Sequence, residues 1–95
     1  MPRNKIVVLT TVAHNNAITI QPPSGERWLL YSVESPRSIS GITLQRTNGS
    51  THVDLLAVSG YTYLPIPMVL SNTLYARVHN ASGVSQPIIY TYYVD

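Results

Sequence analysis

Apolar and polar residues alternate with a period of two along much of this chain, and no stretch shows the three-to-four-residue spacing of an amphipathic helix. Ile18 and Ile20 alternate with Thr19 and Gln21, which sets the isoleucines on one face of a strand, and Pro22 and Pro23 then forbid helical continuation. A Trp-bearing apolar run follows the Pro-Pro-Ser-Gly turn, so that ITIQPPSGERWLLYSV, Ile18 to Val33, reads as strand, turn and strand. Similar signals recur roughly every 8 to 12 residues, the spacing of a sandwich or barrel. They predict strands over Lys5 to Ala13, Ala17 to Gln21, Glu26 to Glu34, Ile39 to Thr47, Ser50 to Ser59, Met68 to Leu70, Thr73 to His79 and Gln86 to Val94. Gly60 to Pro67, with two prolines, reads as a loop. Asn48-Gly49 supplies the two positive-φ positions of a type I′ turn, which joins Ile39 to Thr47 and Ser50 to Ser59 as an antiparallel hairpin. The expected fold is an all-β antiparallel sandwich of seven or eight strands, of jelly-roll or immunoglobulin-like topology, with a small β-barrel as the alternative.

Several strands are apolar on both faces. On plain alternation Trp28 and Leu30 oppose Leu29, Tyr31 and Val33; Leu56 and Val58 oppose Val53, Leu55 and Ala57; Ile6 and Val8 oppose Val7 and Leu9. A two-layer sandwich has one inner face per sheet, so the surplus apolar positions are expected against neighbouring subunits or a larger assembly.

Length and composition sharpen this. At 95 residues the chain makes one domain, residues 1–95, with a short N-terminal arm over about residues 1–5. It has no cysteine, which excludes a disulfide framework and a thiolate metal site. Charged residues are 11% of the chain, against about 25% in an ordinary soluble domain, so much of the surface is neutral or covered by protein. No segment reaches the ~18 apolar residues of a membrane helix, and the opening MPRNKIVVLTTVAHNN lacks the long apolar centre and small-residue cleavage site of a signal peptide. A soluble protein without an export signal is expected, one that does not engage a membrane.

The candidates for chemistry are few. His52 and Asp54 share a strand face and, with His14 or His79, would make a partial zinc set, but no third ligand stands at fixed local spacing. Glu26 and Glu34 are eight residues apart on one strand, about 26 Å, too far for a glycosidase pair. Neither Ser24 nor Ser82 sits in a G-x-S-x-G elbow. No enzymatic activity, metal or cofactor is expected. Arg27, Arg37, Arg46 and Arg77 are too dispersed for a basic groove, so no nucleic-acid partner is expected. Seven tyrosines stand beside no phenylalanine. Tyr90 and Tyr92 share a strand face with Ile88 and Val94 and are expected in the core with their hydroxyls at its rim. Tyr61 and Tyr63, in the Gly- and Pro-bounded loop, are candidates for contact with protein or sugar.

Three segments, ITIQPPSGERWLLYSV, ITLQRTNGS and LSNTLYARVHNASGVSQPIIYTYYV, resemble small β-rich structural proteins of tailed bacteriophages. The likeness lies in an Ile, Pro, Gly and Trp opening before a Trp strand, a hairpin ending in Asn-Gly, and a closing N-x-x-Y-x-R-x-x-N strand, here Asn72 to Asn80. It covers about three quarters of the chain. The resemblance implies a virion component made in the host cytoplasm: a capsid decoration, or cement, protein that works without cofactors. Such a protein sits outside the phage head and bridges neighbouring subunits of the major capsid protein, commonly as a homotrimer. The contact residues expected on this reading are Arg3 and Lys5 in the arm, Trp28 if it faces outward, and Tyr61, Tyr63 and Pro65 in the loop. The alternative is a head- or tail-fibre module whose exposed rings stack on a host glycan. A cellular lectin-like or adhesion domain would call for an export signal.

Overall fold

The computed structural model describes residues 4–37 and 40–95, with the backbone alone of residues 61–63 and 65–66. Eight strands account for the regular structure: β1 (Asn4–Val12), β2 (Ala17–Ile20), β3 (Trp28–Ser35), β4 (Ile42–Thr47), β5 (His52–Ala57), β6 (Gly60–Leu70), β7 (Tyr75–Asn80) and β8 (Gln86–Val94). β1 pairs with β8, β2 with β7, β3 with β6 and β4 with β5, all antiparallel. The chain is therefore one long hairpin folded at the β4–β5 turn, each strand lying against its counterpart from the other end. Two further pairings, β3 with β8 and β4 with β7, roll that hairpin into two four-stranded sheets of order β1-β8-β3-β6 and β2-β7-β4-β5. This is the jelly-roll order, which settles the choice left open between jelly roll, immunoglobulin-like sandwich and barrel.

The core lies between the sheets. Ile20, Leu30, Val33, Ile42, Leu44, Leu70, Ala76, Val78 and Ile88 are almost fully buried there, and Ile6, Val8, Trp28, Leu56 and Tyr90 pack against them. On β3 the inward residues do not alternate as the sequence suggests. Opposite β8 the register steps from Leu30↔Tyr92 to Ser32↔Thr91, so Tyr31 is an extra residue. This bulge reverses the facing of everything after it, and Leu30 and Val33 both point into the core. Part of the apparent double-faced pattern of β3 is thus a bulge rather than a surplus. On β5 the step from Leu44↔Leu56 to Gln45↔Asp54 likewise leaves Leu55 as the extra residue.

The hairpin tip differs in detail from the expected turn. Thr47 pairs with His52, leaving a four-residue connection in which Gly49 has φ +102° and Asn48 has negative φ. The Asn48 side chain accepts hydrogen bonds from the backbone N–H groups of Ser50 and Thr51 at 3.0 and 2.9 Å, so it works as an acceptor within the turn rather than as a left-handed residue. The predicted loop Gly60 to Pro67 is also strand: Gly60 to Tyr63 and Met68 to Leu70 both pair with β3, and only Leu64 to Pro67 bulge out opposite Tyr31. β6 is an edge strand, where prolines are tolerated because their missing N–H is not needed by a neighbour.

Gln86 is wholly buried at the start of β8, beside Val12, and neither its amide nitrogen nor its oxygen has a partner among the described residues. Replacing a buried unpaired amide by an apolar side chain of the same length removes a desolvation cost. Gln86→Met is expected to raise stability by about 1–2 kcal/mol, several degrees in Tm for a domain of this size. A Tm at or below that of the unsubstituted chain would show that the amide is paired in solution.

Candidate functional site

The outer faces of the two sheets are chemically unlike. On the β2-β7-β4-β5 sheet, opposed residues place Arg77, Gln45 and Asp54 in one row and Thr47 and His52 in the next. Arg77 Nε donates to Gln45 Oε1 at 2.8 Å, and Gln45 Nε2 donates to Asp54 Oδ1 at 2.8 Å. His52 Nε2 lies 3.2 Å from Arg77 Nη1 and its Nδ1 lies 2.7 Å from Thr47 Oγ1. Because a guanidinium only donates, this geometry has His52 Nε2 accepting and Nδ1–H donating to the threonine. These polar groups are satisfied by one another, in the manner of a face turned to water.

On the β1-β8-β3-β6 sheet the outer rows are largely apolar. Lys5, Tyr93, Leu29 and Val69 form one row across the four strands; Leu9, Ile89 and Glu34 form another across β1, β8 and β3. Val7 lies between Lys5 and Leu9 on β1, in a row that continues through the polar Thr91 and Ser32, and the Tyr31 ring leans on that of Tyr93 with centroids 4.5 Å apart. Val7 is 58% exposed, Leu9 70% and Val69 46%. In these two rows Lys5 and Glu34 are the charged members, and they stand at different ends of the sheet.

The sequence-predicted contact residues are divided by this architecture. Arg3 lies outside the described residues, as do the side chains of Tyr61, Tyr63 and Pro65, whose backbone belongs to edge strand β6. Lys5 is exposed on β1 at the opposite edge of the same sheet. Trp28 does not face outward: it packs against the core, stacked on Tyr92 with centroids 4.0 Å apart and planes 18° apart, while its indole N–H donates to Glu26 Oε1 at 3.0 Å. Its place opposite Val94 and the fully buried Leu70 gives the reason, since opposed residues share a face. Trp28 is therefore a core-side residue and not an outward contact. Tyr92 is buried in the core and Tyr90 packs against it, with ring centroids 6.1 Å apart. Burial pushes both phenols above the usual tyrosine range; the neighbouring Tyr92 adds to this for Tyr90, and Glu26 does so for Tyr92.

The zinc candidates do not converge. His52 and Asp54 do share an outer face, but each is held in the network just described, while His14 Nδ1 accepts the backbone N–H of Gly83 at 3.0 Å in a loop at the end of β1. Among the described residues no group of three or more His, Asp and Glu is placed to hold a metal ion, and no cleft encloses a small molecule. The basic residues point apart as well: Arg27 pairs with Asp95, Arg77 lies in the outer network, and Arg46 is on β4 opposite Ala76, its pKa lowered by burial.

The candidate site is accordingly the outer face of the β1-β8-β3-β6 sheet. Val7 and Leu9 were legible as surplus apolar positions on β1, whereas the contribution of Tyr31, Tyr93 and Val69 rests on strand order. No protein-family model matches this chain, and a search of curated proteins finds no significant match.

Proposed function

We propose that this protein is a structural subunit of a phage virion, a decoration protein that lays the outer face of its β1-β8-β3-β6 sheet on the head shell. The observation that carries this reading is the contrast between the two outer faces: one carries a polar network closed on itself, with the exposed Val53 and Leu55 confined to its edge strand β5, the other a set of half-exposed aliphatic and tyrosine side chains spread over four strands with few charges. An apolar face of this kind gains free energy by being covered, at about 25 cal/mol per Å2 before association costs are met. A shell that repeats the same site many times multiplies a modest gain per copy. Lys5 and Glu34 at the borders of the patch would supply orientation. The likeness of three sequence segments to phage structural proteins supports the choice of partner.

The test is to add purified protein to expanded, undecorated heads and measure bound copies and resistance to heat and shear. Binding with a gain in resistance is expected. Val69→Lys, at the β6 end of the Lys5-Tyr93-Leu29 row and 46% exposed, is expected to weaken binding at least tenfold, which corresponds to about 1.4 kcal/mol. Thr19→Lys, exposed on the polar sheet, should leave binding unchanged. No binding, or equal loss from both variants, would overturn the proposal. So would specific retention on a glycan array without any effect on heads, the result expected of a fibre module.

A further inference from the structure

Two open sheets have four edges, and three of them are guarded. β2 is four residues long and runs into Pro22 and Pro23, where Gln21 Nε2 donates to the backbone oxygen of Asn72 and Asn72 Nδ2 to that of Pro22. β5 is bulged at Leu55 and carries His52 and Asp54. β6 is broken by Leu64 to Pro67, and its two prolines have no N–H to offer. Short length, bulges, charges and prolines are the devices by which edges avoid pairing with other chains. β1 has almost none of them. It is nine residues long, keeps one unbroken register with β8 from Asn4↔Val94 to Val12↔Gln86, contains no proline, and carries one charge, Lys5, near its start.

We infer that β1 is a self-association edge, and that it pairs antiparallel with β1 of a second copy about a two-fold axis at Val8. The register follows from the strand. Centring on Val8 sets Val7 opposite the partner's Leu9, so that the two most exposed aliphatic side chains of each copy cover one another on the outer face. Lys5 then faces the partner's Thr11, and the two lysines stand about 20 Å apart, whereas parallel pairing would place them side by side. At the far end the Val12 carbonyl is already taken by the Asn80 side chain at 2.7 Å, which limits the new ladder to the residues before it.

The second copy is the occupant that closes the structure. Joining two β1 edges makes an eight-stranded sheet whose outer edges are both β6, the edge broken by prolines, so that growth stops at two. This favours a two-fold pair over the three-fold assembly implied by the resemblance to decoration proteins, and it stands on the edge alone, independent of the shell reading. The contact is narrow: seven residues at about 3.3 Å, across one sheet thickness of about 10 Å, cover a few hundred Å2 per copy. That lies below the ~800 Å2 per partner of a standard interface, so a reversible pair with Kd on the order of 10–100 μM is expected.

Sedimentation of the unsubstituted chain should show its 10.5 kDa mass doubling as concentration rises toward about 1 mM, and Leu9→Lys should raise Kd at least tenfold. Because the chain has no cysteine, single introduced thiols report the register. Directly opposed residues have Cα atoms about 4.5–5.5 Å apart, within disulfide reach, while diagonal neighbours at about 7–8 Å are not. On mild oxidation Val7→Cys and Leu9→Cys, both at exposed outward positions, should stay largely uncrosslinked alone and crosslink when mixed; Val8→Cys should crosslink with itself. A monomer at 1 mM, a trimer mass, or equal crosslinking of Val7→Cys alone and of the mixture would overturn the inference.

Discussion

Gly41→Ala is expected to cost about 3–5 kcal/mol, a large part of the 5–15 kcal/mol that holds a typical domain together. Two effects combine at this position. Gly41 has φ +101°, a conformation that strains any residue with a Cβ, and a Cβ built there would stand 2.8 Å from Ser82 Cα and 2.9 Å from Ser82 N. Those are backbone atoms, which no rotamer change can move aside. The Gly41 carbonyl also accepts the Ala81 N–H at 2.8 Å, so backing away from the clash would give up that bond. Urea unfolding followed by Trp28 fluorescence measures the effect. Gly83→Ala is the control: its φ is +98° but nothing lies within 4 Å of the added methyl, so only the conformational cost of about 1–2 kcal/mol is expected. Equal losses at both positions would show that the approach of Gly41 to the β7–β8 turn contributes nothing.

Asn80→Ala is expected to cost about 3–4 kcal/mol, through hydrogen bonds rather than packing. Asn80 is fully buried at the end of β7, and its side chain makes three hydrogen bonds, all to backbone: Nδ2 donates to Val12 O at 2.7 Å and Val84 O at 2.8 Å, and Oδ1 accepts from Ser82 N at 2.9 Å. Its own N–H donates to Asn16 O at 2.9 Å, and its carbonyl accepts from Asn15 N at 2.7 Å. One residue thus ties the ends of β1 and β7, the start of β2 and the turn into β8. Alanine would take this partner from the buried Val12 carbonyl and the part-buried Ser82 N–H, while Val84 O keeps the Ser82 hydroxyl at 3.0 Å; each group left unpaired costs about 1–3 kcal/mol where water does not reach it. Because Gly41 and Asn80 act on the same turn, the double variant should lose less than the sum of the two. Strict additivity would mean that the two contacts are independent. Since Asn80 anchors the last residue of β1, Asn80→Ala is also expected to speed amide exchange along that strand more than along β4.

The strands themselves were legible because their signals are local. Alternation around Ile18 and Ile20, and around Ile42 and Leu44, and the stop imposed by Pro22-Pro23, depend only on neighbours in the chain. The Asn48-Gly49 hairpin was legible for the same reason, as was the placement of Tyr90 and Tyr92 on the core side of β8. Its turn type was not, because the Asn48 side chain takes the Ser50 N–H that a type I′ turn would give to the Thr47 carbonyl. The strand character of Gly60 to Tyr63 was hidden by prolines that forbid a central strand but not an edge. The inward facing of Trp28 is not legible in the sequence, because one residue cannot report which face its sheet buries.

What the sequence by itself determined is the class: an all-β chain, a core of β-branched and leucine side chains, a chain reversal at Asn48-Gly49, and more apolar strand surface than one domain needs. Tertiary structure alone decided where that surplus lies. The bulge at Tyr31 turned Val33 inward, and the order β1-β8-β3-β6 gathered Leu9, Ile89, Leu29 and Val69 from four separate segments onto one face. Pairing partners 25 to 90 residues apart leave no mark in a local pattern, because the energy that selects them comes from surfaces that meet only after the hairpin has rolled.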